Sequence, residues 1–425
     1  MKFTKIALAV VATAAIAGQA QAATTFLSGA SATSINYVKS LQSLCGGDFA
    51  VFKESTGTTS LGNFFTAKCS QDFTDLAGVD AVAFNVSGGS YTAIQNSSLL
   101  PTNAGLKFVQ AFTATPVLVN DPNSVLNGLF VAPGVTATGS IQTEGGFLDI
   151  EPAAFDASLL APFGGVEGLA DKIGFANFSQ AFGVAVSNSL YTALQTAQGL
   201  TGCGANDMTP ACQPTVSRAQ YASIATSSFN TAKTSISTLF PAVAPGTTAV
   251  PAGKLTLCRR ASTSGTQAAS NQFFLNNLTG NGPNAGAEVP ADAANYGPAN
   301  GIVATFEVKE GAGTSNARDC LNAAGYGIGV LSLENVPAAT TGYRFVKLNR
   351  VEGFDAAKAS KATAIAGEYE FAFQSAKFSV GGAGTNAVIE AIDAGLTTIS
   401  VNGLWGSGDS QFGRNGNNAN VITKQ

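Results

Sequence analysis

Short apolar runs alternate along the chain with loops of small polar residues and with stretches of helical periodicity. The first unit has a strand candidate at 25–28, a small-residue loop at 29–34, and apolar residues at three-residue steps from 35 to 44. That spacing predicts an apolar helical stripe, and the Thr-Ser pair at 33–34 is typical of a helix N-cap. The pattern therefore predicts a strand, a loop and a helix in succession.

The same pattern occurs twice more, with a helix predicted after each loop. A strand candidate at 49–52 precedes a Ser/Thr/Gly loop at 55–60, and a strand candidate at 255–258 precedes a loop at 259–266. In an α/β fold such loops gather at the carboxyl ends of the strands. Each loop delivers a helix N-terminus with unsatisfied N–H groups, which favours an anion. The recurrence predicts an α/β fold with an anion site built from several loops.

The first residues have the three parts of a secretory signal peptide. Lys2 and Lys5 precede an apolar run at 6–17, and small residues at 20–22 form a cleavage site. The run is short for a membrane span, and no cysteine follows the cleavage point to take a lipid anchor. We expect residues 1–22 to be removed near Ala22 and the mature chain to be soluble, either periplasmic or secreted.

Composition and charge narrow the classes of function. The chain has 425 residues, of which 45% are hydrophobic, so it is long enough for more than one core. Its formal charge of −4 becomes −6 once the two lysines of the signal peptide leave. An acidic chain is a poor generic binder of nucleic acid, so any anion must be held by local donors. The absence of histidine excludes Ser-His-Asp and Cys-His catalysis and the H-E-x-x-H zinc site.

Six cysteines, an even count, indicate disulfides in an exported protein. Many pairings are possible, and the connectivity stays open. Cys45 with Cys69 and Cys203 with Cys212 are near in sequence, which leaves Cys258 with Cys320. Metal ligation is the alternative, but the chain has no C-x-x-C spacing and no histidine. We therefore expect no metal and no cofactor.

The segment from Arg260 to Thr266 has the clearest combination of anion-binding residues in the sequence. A guanidinium offers a fork of donors that fits two oxygens of a tetrahedral anion. The hydroxyls of Ser264 and Thr266 add donors, and Gly265 lets the backbone approach closely. Each charge-assisted hydrogen bond contributes about 1.5–3 kcal/mol. The segment predicts oxyanion binding without a metal; the alternative is a capped surface helix with a chance arginine.

These segments, taken in order, resemble the periplasmic phosphate-binding proteins of ABC transporters. Residues 259–266 match the family's Arg-Arg-Ala-Asp-Gly-Ser-Gly-Thr motif, residues 29–33 its Gly-Ala-Gly-Ala-Thr loop, and residues 55–57 its Ser-Ser-Gly loop. Residues 115–120 are similar to the strand that leaves the family's first lobe, and residues 325–330 give a further similarity. The resemblance covers most of the mature chain, with insertions.

The resemblance implies a two-lobed α/β fold of the type II periplasmic-binding-protein class, with a central cleft and a hinge. Lobe 1 is expected at 23–121 plus 366–425 and lobe 2 at 122–365, with Ser/Thr/Pro-rich insertions near 199–251 and 280–301. The implied function is capture of an oxyanion, with phosphate as the leading candidate, for a membrane ABC transporter. The implied protein is neither an enzyme nor membrane-embedded, and it does not bind nucleic acid.

The anion contacts implied by the resemblance lie in loops from different parts of the chain: Thr33, Ser34, Ser55, Asn85, Arg260, Ser264, Gly265 and Thr266. Three positions depart from the family. Asn85 stands where the family has an aspartate that accepts the ligand's proton and rejects sulfate. Ser262 replaces the aspartate that orients the arginine, and Ser34 replaces a phenylalanine. Because of these departures, sulfate or a related oxyanion stays an alternative ligand to phosphate.

Two other functions stay open. One is an exported adhesive, matrix or filament protein that keeps the fold without transport, which the Ser/Thr/Asn-rich insertions and the Gly/Asn-rich tail after residue 406 fit. The other is a histidine-free phosphatase. Assembly without anion affinity would favour the first, and turnover of a phosphate ester would favour the second.

Overall fold

The structure is a computed structural model. It describes residues 23–54, 57, 60–100, 105–122, 124–225, 236–240, 250–275, 293–296, 306–348, 359–397, 403–413 and 422–424. The expected signal peptide and the predicted site residue Ser55 lie outside these ranges, as does most of the expected insertion at 280–301.

The described chain alternates strands with short helices. The strands are β1 (Ala23–Gly29), β2 (Phe49–Lys53), β3 (Phe64–Cys69), β4 (Val79–Asn85), β5 (Leu106–Ala111), β6 (Val117–Leu118), β7 (Phe130–Pro133), β8 (Val135–Ile141), β9 (Gly145–Leu148), β10 (Ile173–Ser187), β11 (Thr215–Val216), β12 (Leu255–Arg260), β13 (Ala293–Tyr296), β14 (Phe306–Gly311), β15 (Tyr326–Ser332), β16 (Tyr343–Phe345), β17 (Lys347–Leu348), β18 (Ala372–Ser379), β19 (Leu404–Gly406), β20 (Phe412–Gly413) and β21 (Thr423–Lys424). The helices are α1 (Ser34–Leu44), α2 (Thr92–Gln95), α3 (Ala157–Leu160), α4 (Asn188–Ala197), α5 (Arg218–Ala225), α6 (Gly265–Ser270), α7 (Thr314–Ala323), α8 (Lys361–Ile365) and α9 (Ala383–Leu396).

One large mixed sheet organises the fold. Its strand order is β13-β14-β12-β15-β10-β18-β9-β1-β4-β3-β2-β7-β6, and β16 and β19 also pair with β10. Strand β1 is parallel to both β4 and β9, and β12 is parallel to both β14 and β15. Parallel pairs joined by helices define the mixed α/β class that the sequence predicts.

One predicted helix is a strand. The residues after the 55–60 loop were expected to be helical, but β3 pairs antiparallel with β2 on one side and with β4 on the other. Phe65, Ala67 and Cys69 are all buried, and this period of two places them on one face of the sheet. This segment forms a strand rather than the predicted helix because hydrogen bonds to β2 and β4 satisfy its backbone on both sides.

Two large apolar cores pack against the sheet. The first includes Leu27, Phe84 and Val388, and the second includes Phe182 and Phe371. Strand β10 supplies residues to both cores. Strands β7 and β9, which follow residue 122, pair with β2 and β1. The lobe boundaries at 121 and 366 stay predictions.

Three disulfides join all six cysteines. The pairs are Cys45–Cys69, Cys203–Cys212 and Cys258–Cys320, with Cα separations of 5.6, 5.4 and 5.8 Å. These separations are usual for disulfides. The third pair joins β12, which carries Arg260, to α7. None of the helices in the described ranges has both the length and the hydrophobicity that a membrane crossing requires.

Candidate anion site

The first predicted loop connects β1 to α1. Gly29, at φ +136°, ends β1 so close to β9 that an added Cβ would lie 2.0 Å from the Phe147 carbonyl oxygen, so only glycine fits. The Thr33 side chain is buried, and its hydroxyl donates to the hydroxyl of Tyr37. Ser34 begins α1, and its hydroxyl donates to the Ser31 carbonyl at 2.9 Å. The loop and helix therefore form as the sequence predicts.

The third predicted loop connects β12 to α6. Ser264 is the N-cap of α6, and its buried hydroxyl accepts a hydrogen bond from the Gln267 amide at 3.4 Å. A Cβ at Gly265 would lie 2.3 Å from Ser90 Oγ, so the loop can pack here only with glycine. Thr266 is buried beside them. The hydroxyl of Ser264 therefore caps its own helix as an acceptor, and the anion contacts of Ser264, Gly265 and Thr266 stay predictions.

Arg260 lies almost fully buried, with 2% of its surface exposed. Its Nη1 donates to Thr314 Oγ1 at 2.7 Å, and its Nη2 donates to the Ala312 carbonyl at 3.1 Å. Its backbone amide donates to Gln267 Oε1 at 3.0 Å. Among the residues that the structure describes, none accepts a hydrogen bond from the buried Nε. The loop between β14 and α7 therefore orients the guanidinium, whereas Ser262 is exposed.

Two acids accompany this arginine, Asp149 and Glu334. Asp149, which follows β9, is buried; its Oδ2 accepts a hydrogen bond from Thr266 Oγ1 at 3.5 Å, and its Oδ1 has no protein partner. Glu334 accepts from Ser332 Oγ at 2.6 Å. Both carboxylates interact electrostatically with Arg260. Both oxygens of Glu334 accept from protein groups, since Gln180 Nε2 donates to its Oε2 at 3.4 Å, so Asp149 Oδ1 is the acceptor left near the cation.

Burial dominates the titration of all three groups. It raises the pKa of Asp149 to about 6, even though Arg260 lowers that pKa. It raises the pKa of Glu334 to about 7, and the charge of Asp149 adds to the increase. Burial also lowers the pKa of Arg260 to about 10, although both carboxylates raise it. Arg260 therefore stays charged at neutral pH.

Tyr37 links the first loop to this cluster. Its hydroxyl, which contacts Thr33, also donates to the Ala30 carbonyl at 3.4 Å. Burial raises the pKa of Tyr37 well above its ordinary value, and the charges of Asp149 and Glu334 raise it further. The charges of these two carboxylates therefore raise both the pKa of Tyr37 in α1 and the pKa of Arg260.

Side chains from distant parts of the chain also touch directly around Arg260. Ser31 Oγ lies 3.2 Å from Thr314 Oγ1, the atom that accepts from the guanidinium. The Tyr91 amide donates to the Thr263 carbonyl at 3.0 Å, and Thr263 Oγ1 donates to the Gly88 carbonyl at 2.7 Å. The loops at 29–34, 86–91, 261–266 and 311–314 therefore meet at one place.

Asn85 is buried but faces its own loop. Its Nδ2 donates to the Lys107 carbonyl at 3.0 Å. Its Oδ1 accepts from both the amide and the hydroxyl of Ser87, at 3.0 and 2.7 Å. The side chain is therefore occupied by scaffold contacts. A role for Asn85 in anion binding stays a prediction.

Sequence reasoning missed four residues of this cluster: Ser31, Asp149, Thr314 and Glu334. Thr314 could have been found, because the Gly-Ala-Gly segment at 311–313 ends a strand in which buried Phe306 and Val308 alternate with charged residues, and precedes a helix. That is a further copy of the strand–loop–helix pattern. Asp149 and Glu334 carry no such local signal, since each is a single acid after a buried strand.

Comparison with known proteins gives structural matches only. No family model and no curated protein matches the chain. A Clostridium perfringens protein, described as a candidate phosphate ABC transporter substrate-binding protein with bound phosphate, is 10% identical and covers 87% of this chain and 93% of its own, with a TM-score of 0.40. An ABC-type phosphate transport receptor from Vibrio cholerae is 13% identical and covers 62% and 82%, with a TM-score of 0.32. A phosphate-binding protein from Stenotrophomonas maltophilia is 11% identical and covers 88% and 83%, with a TM-score of 0.32.

Proposed function

We propose that this chain is an exported solute-binding protein that holds a tetrahedral oxyanion, with phosphate as its first ligand, beside Arg260. One observation carries the proposal. Four loops separated by tens to hundreds of residues converge on a buried guanidinium whose Nε has no protein partner. Burying an arginine costs free energy unless its donors are satisfied. An anion oxygen at Nε would satisfy this buried donor.

The two acids favour phosphate over sulfate. A fully ionised oxyanion beside Asp149 and Glu334 meets like charges at low dielectric, which is unfavourable. An oxyanion that keeps a proton can instead donate it to a carboxylate oxygen, and Asp149 Oδ1 has no other partner. Asp149 would thus accept the ligand's proton, the role that the family gives to an aspartate at the position of Asn85.

Opening of the cleft is part of the proposal. The contacts of Tyr91 with Thr263 and of Ser31 with Thr314 enclose Arg260, so a ligand enters only when these loops separate. We propose that the two predicted lobes, 23–121 plus 366–425 and 122–365, separate by hinge motion and close on the anion. A membrane transporter of the ABC class is the proposed recipient of the ligand, and export depends on the signal peptide at 1–22.

Calorimetry on the mature chain tests this function. We expect saturable heat with phosphate, weaker heat with sulfate, and loss of most of the phosphate affinity in Arg260→Ala. Arg260→Lys should recover only part of it, because an ammonium group lacks the planar fork. Lys309→Ala is the matched control, since it removes one positive charge from a side chain that is 51% exposed. Absence of heat with every oxyanion, or equal affinities in wild type and Arg260→Ala, would sink the proposal.

A further inference from the structure

An exposed apolar surface lies at the β6 edge of the large sheet. Half of the large apolar side chains that are exposed in the described ranges fall within one segment of the chain. They are Val117, Leu118, Val125, Phe130 and Val135. We name these five residues the 117–135 surface. Exposed apolar residues that share one face mark a contact site more often than scattered ones do.

The backbone arrangement brings part of this surface together. Strand β6 is the last strand of the large sheet and pairs antiparallel with β7, with Leu118 opposite Phe130. Directly opposite residues share a face of a sheet. Leu118 and Phe130 are each 48% exposed, so they form a continuous apolar pair at the sheet edge. Within the described residues, no strand covers the other side of β6.

Charge indicates what covers this surface. Between residues 108 and 143, Asp121 is the only ionisable residue. Lys53, near the same edge, is buried, with 1% of its surface exposed. Two copies of an acidic chain repel each other, and they do so least where the meeting surfaces carry no charge. Exposed edge strands usually carry lysine or other charges that prevent pairing, whereas both residues of β6 are apolar. A second copy of this chain therefore fits the 117–135 surface.

We propose that the 117–135 surface is the contact between two copies of this protein. Strand β6 has only two residues and follows Pro116, which has no N–H, so few backbone groups are left for strand addition. Side-chain packing around Leu118 and Phe130 therefore carries the contact. A twofold axis would place the same residues on both partners and would close the assembly as a dimer.

Sedimentation velocity of the mature chain over a concentration series tests this inference. We expect a dimer that dissociates on dilution and persists in high salt, because the contact contains no ion pairs. The double variant Leu118→Asp, Phe130→Asp should weaken dimerisation by roughly tenfold or more. The matched control is Val336→Asp, which places the same charge on an apolar side chain that is 56% exposed elsewhere.

Three results would overturn the inference: a monomer at every concentration, a dimer that survives the double variant, or a dimer that salt dissociates. Circular dichroism and the melting temperature of each variant show that it is folded. Phosphate calorimetry on the double variant separates this inference from the proposed function, since the affinity per chain should not change. Loss of dimerisation with unchanged phosphate binding would support the contact alone.

Discussion

Asp149 packs directly against Gly265: a Cβ added to the glycine would lie 2.7 Å from the Cβ of the aspartate. The two residues are 116 positions apart in the sequence, and the end of β9 brings the acid beneath the first turn of α6. The contact leaves Asp149 Oδ1 without a protein partner while Oδ2 accepts from Thr266. A buried carboxylate and a buried guanidinium thereby belong to one site.

Gly265→Ala should destabilise the protein by about 1–3 kcal/mol, the usual cost of overpacking a filled site. The added methyl group would meet Ser90 Oγ at 2.3 Å and Asp149 Oδ2 at 2.8 Å. Urea denaturation measures the loss. Gly384→Ala is the matched control, because a Cβ there has nothing within 4 Å. Equal unfolding free energies for the two variants would contradict the packing described here.

Asp149→Asn should change how the unfolding free energy depends on pH. Burial raises the folded-state pKa of Asp149 from 3.8 to about 6, so ionisation opposes folding. The stability that comes from the protonated form is complete below about pH 4 and is lost as the pH rises through about 6. The gap corresponds to roughly 3 kcal/mol at most.

The measurement is the unfolding free energy of variant minus wild type, without ligand, between pH 4 and 8. We expect this difference to rise with pH in favour of the asparagine variant. Taking the difference removes the shared groups that do not interact with Asp149, such as Glu54, whose pKa is lowered mainly by its hydrogen bond with Lys107. Glu334 does not cancel, because the charge of Asp149 raises its pKa, and it changes the difference in the same direction. A flat or falling difference would show that Asp149 is not a buried acid.

The same variant tests ligand selection, and this prediction depends on the proposed function. Asparagine cannot take up a proton from the ligand, but its amide can donate to a fully ionised oxygen. We expect the ratio of sulfate to phosphate affinity to rise by roughly tenfold or more in Asp149→Asn, as calorimetry would measure. An unchanged ratio would exclude Asp149 as the proton acceptor, with oxyanion binding itself left intact.

Thr314→Val should weaken phosphate binding by roughly tenfold or more. The substitution keeps the shape but removes the hydroxyl that accepts from Arg260 and contacts Ser31. Thr196→Val is the matched control, because its exposed hydroxyl donates only to the Thr192 carbonyl within α4. If both variants bind phosphate as wild type does, Thr314 does not position the guanidinium.

Asn85→Asp should cost about 1–3 kcal/mol of stability, because a carboxylate oxygen would replace the donor that bonds the Lys107 carbonyl. Thermal denaturation measures the change. Asn322→Asp serves as the control, since its Oδ1 only accepts from the Gly342 amide and aspartate keeps that acceptor. Asn85→Asp with wild-type stability would mean that the Nδ2 contact with Lys107 contributes nothing.

The sequence determined the features that depend on neighbours along the chain. Apolar spacing predicted α1 and the helix after the arginine loop, and the order of small residues indicated loops 29–34 and 259–266. It failed at β3, where period-two burial depends on pairing with β2 and β4 rather than on local residues. Helix and strand periods are local quantities, so they predict elements but not partners.

Only the tertiary structure decided which groups surround Arg260. Pairing of β1 with β9 sets Gly29 against Phe147 and so brings Asp149 to the site. Pairing of β12 with β14 places Thr314, the first residue of α7, beside the guanidinium. These contacts join residues tens to hundreds of positions apart, and no local pattern marks a single acid after a buried strand. Strand register, which depends on the whole sheet, decides such contacts.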